Sequence, residues 1–124
     1  MIERPPFSVA GRMKAFGYAI SGLAYVFRTQ HAMWFHTLTA AGVVLTGIYL
    51  HVSVNDWRWL ALAITLVWTA EAMNTAVESV CDALHPDHNP IIGIAKDVAA
   101  GSVLVAAMGA AVIGTLTFWP YIFR

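Results

Sequence analysis

Charge is what this sequence has least of. Only 11% of its 124 residues are Asp, Glu, Lys or Arg, whereas 59% are hydrophobic; soluble domains carry about a quarter charged residues. That imbalance excludes an ordinary soluble domain and points to a membrane protein. Seven basic and seven acidic residues cancel, so no global field draws nucleic acid or an acidic partner, and charge matters only locally. Cysteine is almost missing. Cys81 stands alone, which excludes an intrachain disulfide, and no metal-thiolate or nucleophile spacing surrounds it, so it reads as a packing residue. There is no GxxxxGKS/T phosphate loop, no kinase-type glycine loop, no internal repeat and no low-complexity tract. The opening MIERPPFSVAGRMKAF lacks the apolar core of a secretory signal, so the hydrophobic segments are expected to remain in the mature protein.

What is present is helix. Crossing the hydrocarbon takes about 20 apolar residues, and three stretches qualify: about 32–54, about 56–84 after an N-cap at Asn55, and about 90–120 after Asn89-Pro90, an N-cap followed by the best-tolerated helical position for proline. The second is longer than the bilayer requires, so its last turns are expected to leave the hydrocarbon before His85-Pro86 ends the helix. The polar turn HPDHNP links the last two spans. Ahead of them, residues 8–29 place Met13, Phe16, Ile20, Leu23 and Phe27 at helical spacing, with Arg12, Lys14, Ser21 and Arg28 elsewhere around the helix. This predicts an amphipathic helix in the membrane interface, packed against the bundle or not. The fold class expected is an all-α membrane protein in one domain: a surface helix plus three transmembrane helices.

Arg4, Arg12, Lys14, Arg28 and Lys96 fall on one side of that topology and Arg58 and Arg124 on the other. The N-terminus and the HPDHNP turn are therefore expected to face the cytoplasm. Trp57, Trp59, Trp119 and Tyr121 suit an aromatic belt at the opposite interface. Ser102, Ala106, Ala110 and Gly114 form a small-residue face that would let another helix approach closely. So small a bundle is expected to form a homo-oligomer.

Against this background EAMNTAVESVCD, residues 71–82, is out of place. At 100° per residue Glu78 and Asp82 fall within about 20° of Glu71 on either side and Asn74 within about 60°, so all four share a face that climbs roughly 16 Å. An ionisable group deep in a bilayer costs about 2.5–3.5 kcal/mol on insertion scales and faces the bundle interior or a wet cavity. Glu71 bears that cost. Lys96 and Asp97 follow the turn early in the next helix and can return level with Glu78 and Asp82. Oxygen ligands and a lysine at a cytoplasmic boundary suit a hard cation and a phosphate chain. Phosphoryl transfer from ATP to a lipid alcohol needs such groups, with a carboxylate to accept the hydroxyl proton.

EAMNTAVESVCD, then HPDHNPIIGIAKDVAAGSVLVAA, with KAFGYAISGL upstream, resembles the small prokaryotic integral-membrane diacylglycerol kinase and undecaprenol kinase family over most of the chain. That family also lacks the glycine loops. The resemblance implies a homotrimer in the bacterial inner membrane that uses ATP and Mg²⁺ at sites shared between subunits. By position, Glu71 matches the general base and Glu78 a metal-binding carboxylate. Asn74, Lys96 and Asp97 match groups around the nucleotide and transferred phosphate, Asp82 a neighbour of these, and Lys14 and Tyr18 the nucleotide side of the surface helix. Gln30 stands where relatives commonly have a glutamate as second metal ligand. Its amide can coordinate Mg²⁺ without adding charge. Ala32 and Trp34 stand where asparagine and arginine are frequent.

His36 and His51 lie about four turns apart, too far to serve one haem; His36 matches a family histidine and reads as a hydrogen-bonded structural group. His85 and His88 read as solvated. The lipid is diacylglycerol or undecaprenol, AKDVAAGSVL leaning to the latter branch. A different class also accommodates the residues: a non-catalytic membrane subunit whose acids serve assembly or proton relay.

Overall fold

The computed structural model describes residues 6–124, which form four helices: α1 (Val9–Thr29), α2 (His31–Tyr49), α3 (Val54–Leu84) and α4 (Pro90–Ile122). The last three are long and apolar enough to cross a membrane. The expected all-α class with one preceding helix is therefore what the chain adopts. Arg4, part of the orientation argument, lies outside the described residues.

α1 starts at Ser8, whose side chain accepts from the Gly11 N–H. It ends at Gln30, which is at once the C-cap of α1 and the N-cap of α2 and makes no side-chain capping bond. One extended residue thus turns the surface helix into the first span. Met13, Phe16, Ile20 and Leu23 remain more than half exposed, and the helix docks only through its last turns, where Val26 is buried and Phe27 meets Trp68 edge-on at 5.8 Å.

The first span is shorter than its hydropathy suggests. α2 ends at Tyr49, and the expected boundary at residue 54 gives way to a Schellman corner: His51 donates its N–H to Ile48 O at 3.2 Å and Val52 its N–H to Gly47 O at 3.1 Å. His51 takes the left-handed position with φ of 52°, where glycine is usual. The next N-cap is Ser53 and not Asn55, because Ser53 can close a capping box. Asp56 N–H donates to Ser53 Oγ at 3.1 Å while Ser53 N–H donates to Asp56 Oδ2 at 3.3 Å. Asn89 caps α4 as expected, accepting from Ile91 and Ile92 N–H, with Pro90 next.

α3 is the centre of the molecule. It packs along α4, with α2 and the end of α1 against its other sides, and it buries Leu60, Ala63, Val67, Glu71, Asn74, Thr75 and Cys81. α2 meets α3 closely at Gly47, where a Cβ would come within 2.7 Å of Trp57. On the small-residue face of α4, Ala106 is buried within one chain, whereas at Gly114 nothing among the described residues lies within 4 Å of a Cβ position. Trp57 and Tyr121 do more than line an interface. Tyr121 Oη donates to Asp56 Oδ2 at 2.6 Å and accepts from Ser53 N–H at 3.1 Å, clasping the end of α4 to the start of α3.

Candidate functional site

Thirty-one residues make α3 about 46 Å long, against a hydrocarbon core of about 30 Å. Measured from Val54, Glu71 stands about 26 Å along it, while Glu78 and Asp82 lie about 36 and 42 Å along. The burial follows that climb: Glu71 is 3% exposed, Glu78 half-buried and Asp82 exposed. Each acid thus meets a different environment along one face.

Glu71 is buried. His36 of α2 faces it, with Nε2 3.7 Å from Oε2, at charge-contact distance but beyond hydrogen-bond length. Asn74 does not turn to Glu71; its Nδ2 donates to Glu78 Oε1 in a long bond of 3.4 Å, one turn on. The nearby hydroxyls are spent on the helix itself, Thr75 Oγ1 donating to Glu71 O at 2.9 Å and Ser79 Oγ to Thr75 O at 2.8 Å. What remains free for chemistry is carboxylate and amide oxygen. Among the described residues Asn74 Oδ1 is buried with no hydrogen-bond partner, an unmet acceptor of the kind that a cation or a donor would satisfy.

Those donors suit Mg²⁺ held on a nucleotide better than a metal caged by protein. Among the described residues no three His, Cys, Asp or Glu side chains converge as a metal cluster. Mg²⁺, however, commonly takes one or two carboxylates and fills its shell with water and phosphate oxygens. Glu78 and the Asn74 oxygen, with Gln30, are the groups that fit it. Gln30 is half-buried at the α1–α2 break, its amide not used as a helix cap.

At the shallow end Lys96 Nζ lies 2.8 Å from Asp82 Oδ1, joining α4 to α3 across the turn. Asp82 holds Lys96 in place, and its charge partly neutralises the lysine. The expected return of Lys96 to the level of the stripe is therefore observed, whereas Asp97 is exposed. Lys14 and Tyr18 are exposed on the outer half of α1 and make no hydrogen bond or ion pair with the stripe within one chain. His36 is the group that sequence reasoning undervalued. Its partner lies 35 positions away, and no local spacing signals that contact.

A groove of about 550 Å³ runs along α3 between α2 and α4. Val43 and Leu60 lie toward its far end and His36 and Trp68 at the end nearer Glu71. Its walls are almost wholly alkyl and aromatic, suited to a lipid chain.

Comparison with known proteins identifies the family of the chain. The family described as "Prokaryotic diacylglycerol kinase" matches residues 17–118. The chain is 35% identical over 107 residues to an undecaprenol kinase of Bacillus subtilis (strain 168), an alignment that covers 86% of this chain and 87% of that protein. It is 38% identical over 107 residues to a diacylglycerol kinase of Synechocystis sp., covering 86% of this chain and 61% of that protein. Similarity to the diacylglycerol kinase of Escherichia coli (strain K12) is 26% over 109 residues, covering 88% and 89%.

Proposed function

Because the chain belongs to the prokaryotic diacylglycerol kinase family, we propose that it transfers the terminal phosphoryl group of ATP to the hydroxyl of a membrane lipid alcohol, diacylglycerol or undecaprenol. The reaction takes place at the cytoplasmic face of the bacterial inner membrane, with the N-terminus in the cytoplasm. The observation that carries this reading is the graded acid stripe of α3: a carboxylate 3% exposed at lipid depth, continuous with an exposed ion pair at the water side.

Each residue then has a task set by its depth. Glu71 accepts the proton of the lipid hydroxyl as the alcohol oxygen attacks. Its sheltered position beside the groove lets it meet an acceptor that never leaves the membrane. Glu78, the Asn74 oxygen and Gln30 would hold Mg²⁺ with the nucleotide, and the ion, when bound, would supply charge neutralisation. Lys96, steadied by Asp82, offers a cation to the transferring phosphoryl group, and Asp97 borders the same space. Lys14 and Tyr18 contribute from the surface helix. Since one chain leaves them apart from its own stripe, a homotrimer in which α1 of one subunit serves the stripe of the next completes the site.

Labelled-phosphate transfer from ATP to diacylglycerol and to undecaprenol, in matched detergent micelles, tests the proposal. Transfer to one or both is expected, and Glu71→Gln is expected to remain helical and monodisperse while kcat falls about 10²–10⁴-fold. Transfer to neither lipid overturns the kinase reading in favour of a non-catalytic membrane subunit. Undiminished turnover by Glu71→Gln removes that residue as the base.

A further inference from the structure

We propose that His36 is an acceptor-binding residue: with its proton on Nε2, it holds the lipid hydroxyl jointly with the Glu71 carboxylate at the end of the groove between α2, α3 and α4. This rests on the lipid-kinase reading above. Among the described residues His36 is the one titratable side chain in the groove lining. The hydroxyls of Thr39 and Thr115, which also line it, are already spent on the carbonyls of Phe35 and Ala111. Apart from two indole N–H groups, the imidazole is the polar group that a chain lying in the groove would meet.

The distance to Glu71 is informative. A charge-assisted N–H···O bond closes to about 2.7–2.9 Å, yet Nε2 and Oε2 stand 3.7 Å apart at side-chain exposures of 15% and 3%. The two groups face one another without satisfying one another. Because 3.7 Å is less than twice a hydrogen bond of about 2.8 Å, a single oxygen can lie at bonding length from both. A neutral alcohol matches the pair: its O–H donates to Glu71 and its lone pair accepts from His36. An ammonium has no acceptor for the imidazole N–H, and a carboxylate or phosphate presents only acceptors to Glu71. The pair thereby selects a neutral hydroxyl at the end of an apolar chain.

In the reaction, the alcohol oxygen forms a bond to the terminal phosphorus of ATP. The bond from that phosphorus to the bridging oxygen breaks, with its electron pair leaving on ADP, and the hydroxyl proton passes to Glu71. His36 keeps its proton throughout. Its part is to fix the oxygen so that the lone pair not engaged by the imidazole points away from the groove.

Kinetics of three proteins with both lipids test this. His36→Leu keeps the volume and removes the donor, whereas His36→Gln carries an amide N–H close to the Nε2 position. His36→Leu is expected to lower kcat/KM for the lipid about tenfold, as for the loss of one hydrogen bond. Its KM for ATP should stay within about twofold of wild type, and His36→Gln should recover most of the loss. An unchanged His36→Leu, or equal failure of both variants with a raised KM for ATP, overturns the inference and leaves the kinase reading standing. No transfer by wild type to any lipid alcohol overturns both. Should His36→Leu not fold, inhibition of wild type decides. The lipid methyl ether, which can still accept from His36, should inhibit more strongly than the hydrocarbon lacking the oxygen, and equal inhibition overturns the assignment.

Discussion

Residue by residue, the α3 stripe gives four polar side chains different properties by depth alone. Glu71 is sheltered and faces His36, Asn74 leaves an oxygen unpaired among the described residues, Glu78 is half-covered, and Asp82 carries Lys96 in the open. The Lys96–Asp82 pair is too exposed to matter much for stability, since water screens the attraction and holding two side chains in one geometry costs entropy. Its value lies in placing a cation. Lys96→Met is therefore expected to leave thermal unfolding in detergent nearly unchanged while kcat falls about 10²–10³-fold, the usual loss on removing one transition-state donor. Equal losses of stability and activity would assign the pair to the fold instead. Gln30 is the neutral member of the proposed metal set. Gln30→Glu adds a negative charge and is expected to lower the Mg²⁺ concentration for half-maximal activity by on the order of tenfold. A Mg²⁺ titration showing no shift takes Gln30 out of that set.

Among the elements, the end of the bundle opposite the α3–α4 turn is held by local chemistry that hydropathy does not register. His51 occupies a left-handed position in the Schellman corner after α2, which costs a β-branched residue more than it costs histidine or asparagine. His51→Val should destabilise by about 1–2 kcal/mol and His51→Asn by much less, read as the shift in thermal midpoint. Across the same end, Tyr121 joins α4 to the capping box of α3. Tyr121→Phe removes a donor from a carboxylate and should cost about 1 kcal/mol. A larger loss of activity than of stability would give the clasp a role in the reaction. Helix existence was legible from the apolar runs, and Asn89-Pro90 marked the start of α4. The early end of α2 was not, because it depends on backbone hydrogen bonds that an apolar sequence can make or forgo, and the cap at Ser53 was not, because Asn55 is also a capping residue and only the side-chain bonds of Ser53 with Asp56 settle which one serves.

The whole molecule exposes more surface than a compact globule of its mass. Its accessible surface is 9529 Å², against about 6,500 Å² for a compact monomer of this mass. Lipid and further copies of the chain are the available covers for the excess. A site completed between subunits makes a specific prediction: Glu71→Gln chains mixed with Lys14→Met chains before reconstitution should recover phosphotransfer that neither has alone. Mixtures no more active than their parts would confine the site to one subunit. Composition determined the membrane class, the three apolar runs determined the spans, and the helical period determined that Glu71, Asn74, Glu78 and Asp82 share a face, since each of these follows from residues within a few turns of one another. Only the tertiary structure decided that His36 meets Glu71, that Lys96 pairs with Asp82 and not Glu78, and that a groove opens where the small residues of α4 fail to close on α2. Those are contacts between helices, and their distances depend on how side chains pack across the interfaces, which no spacing along one chain encodes.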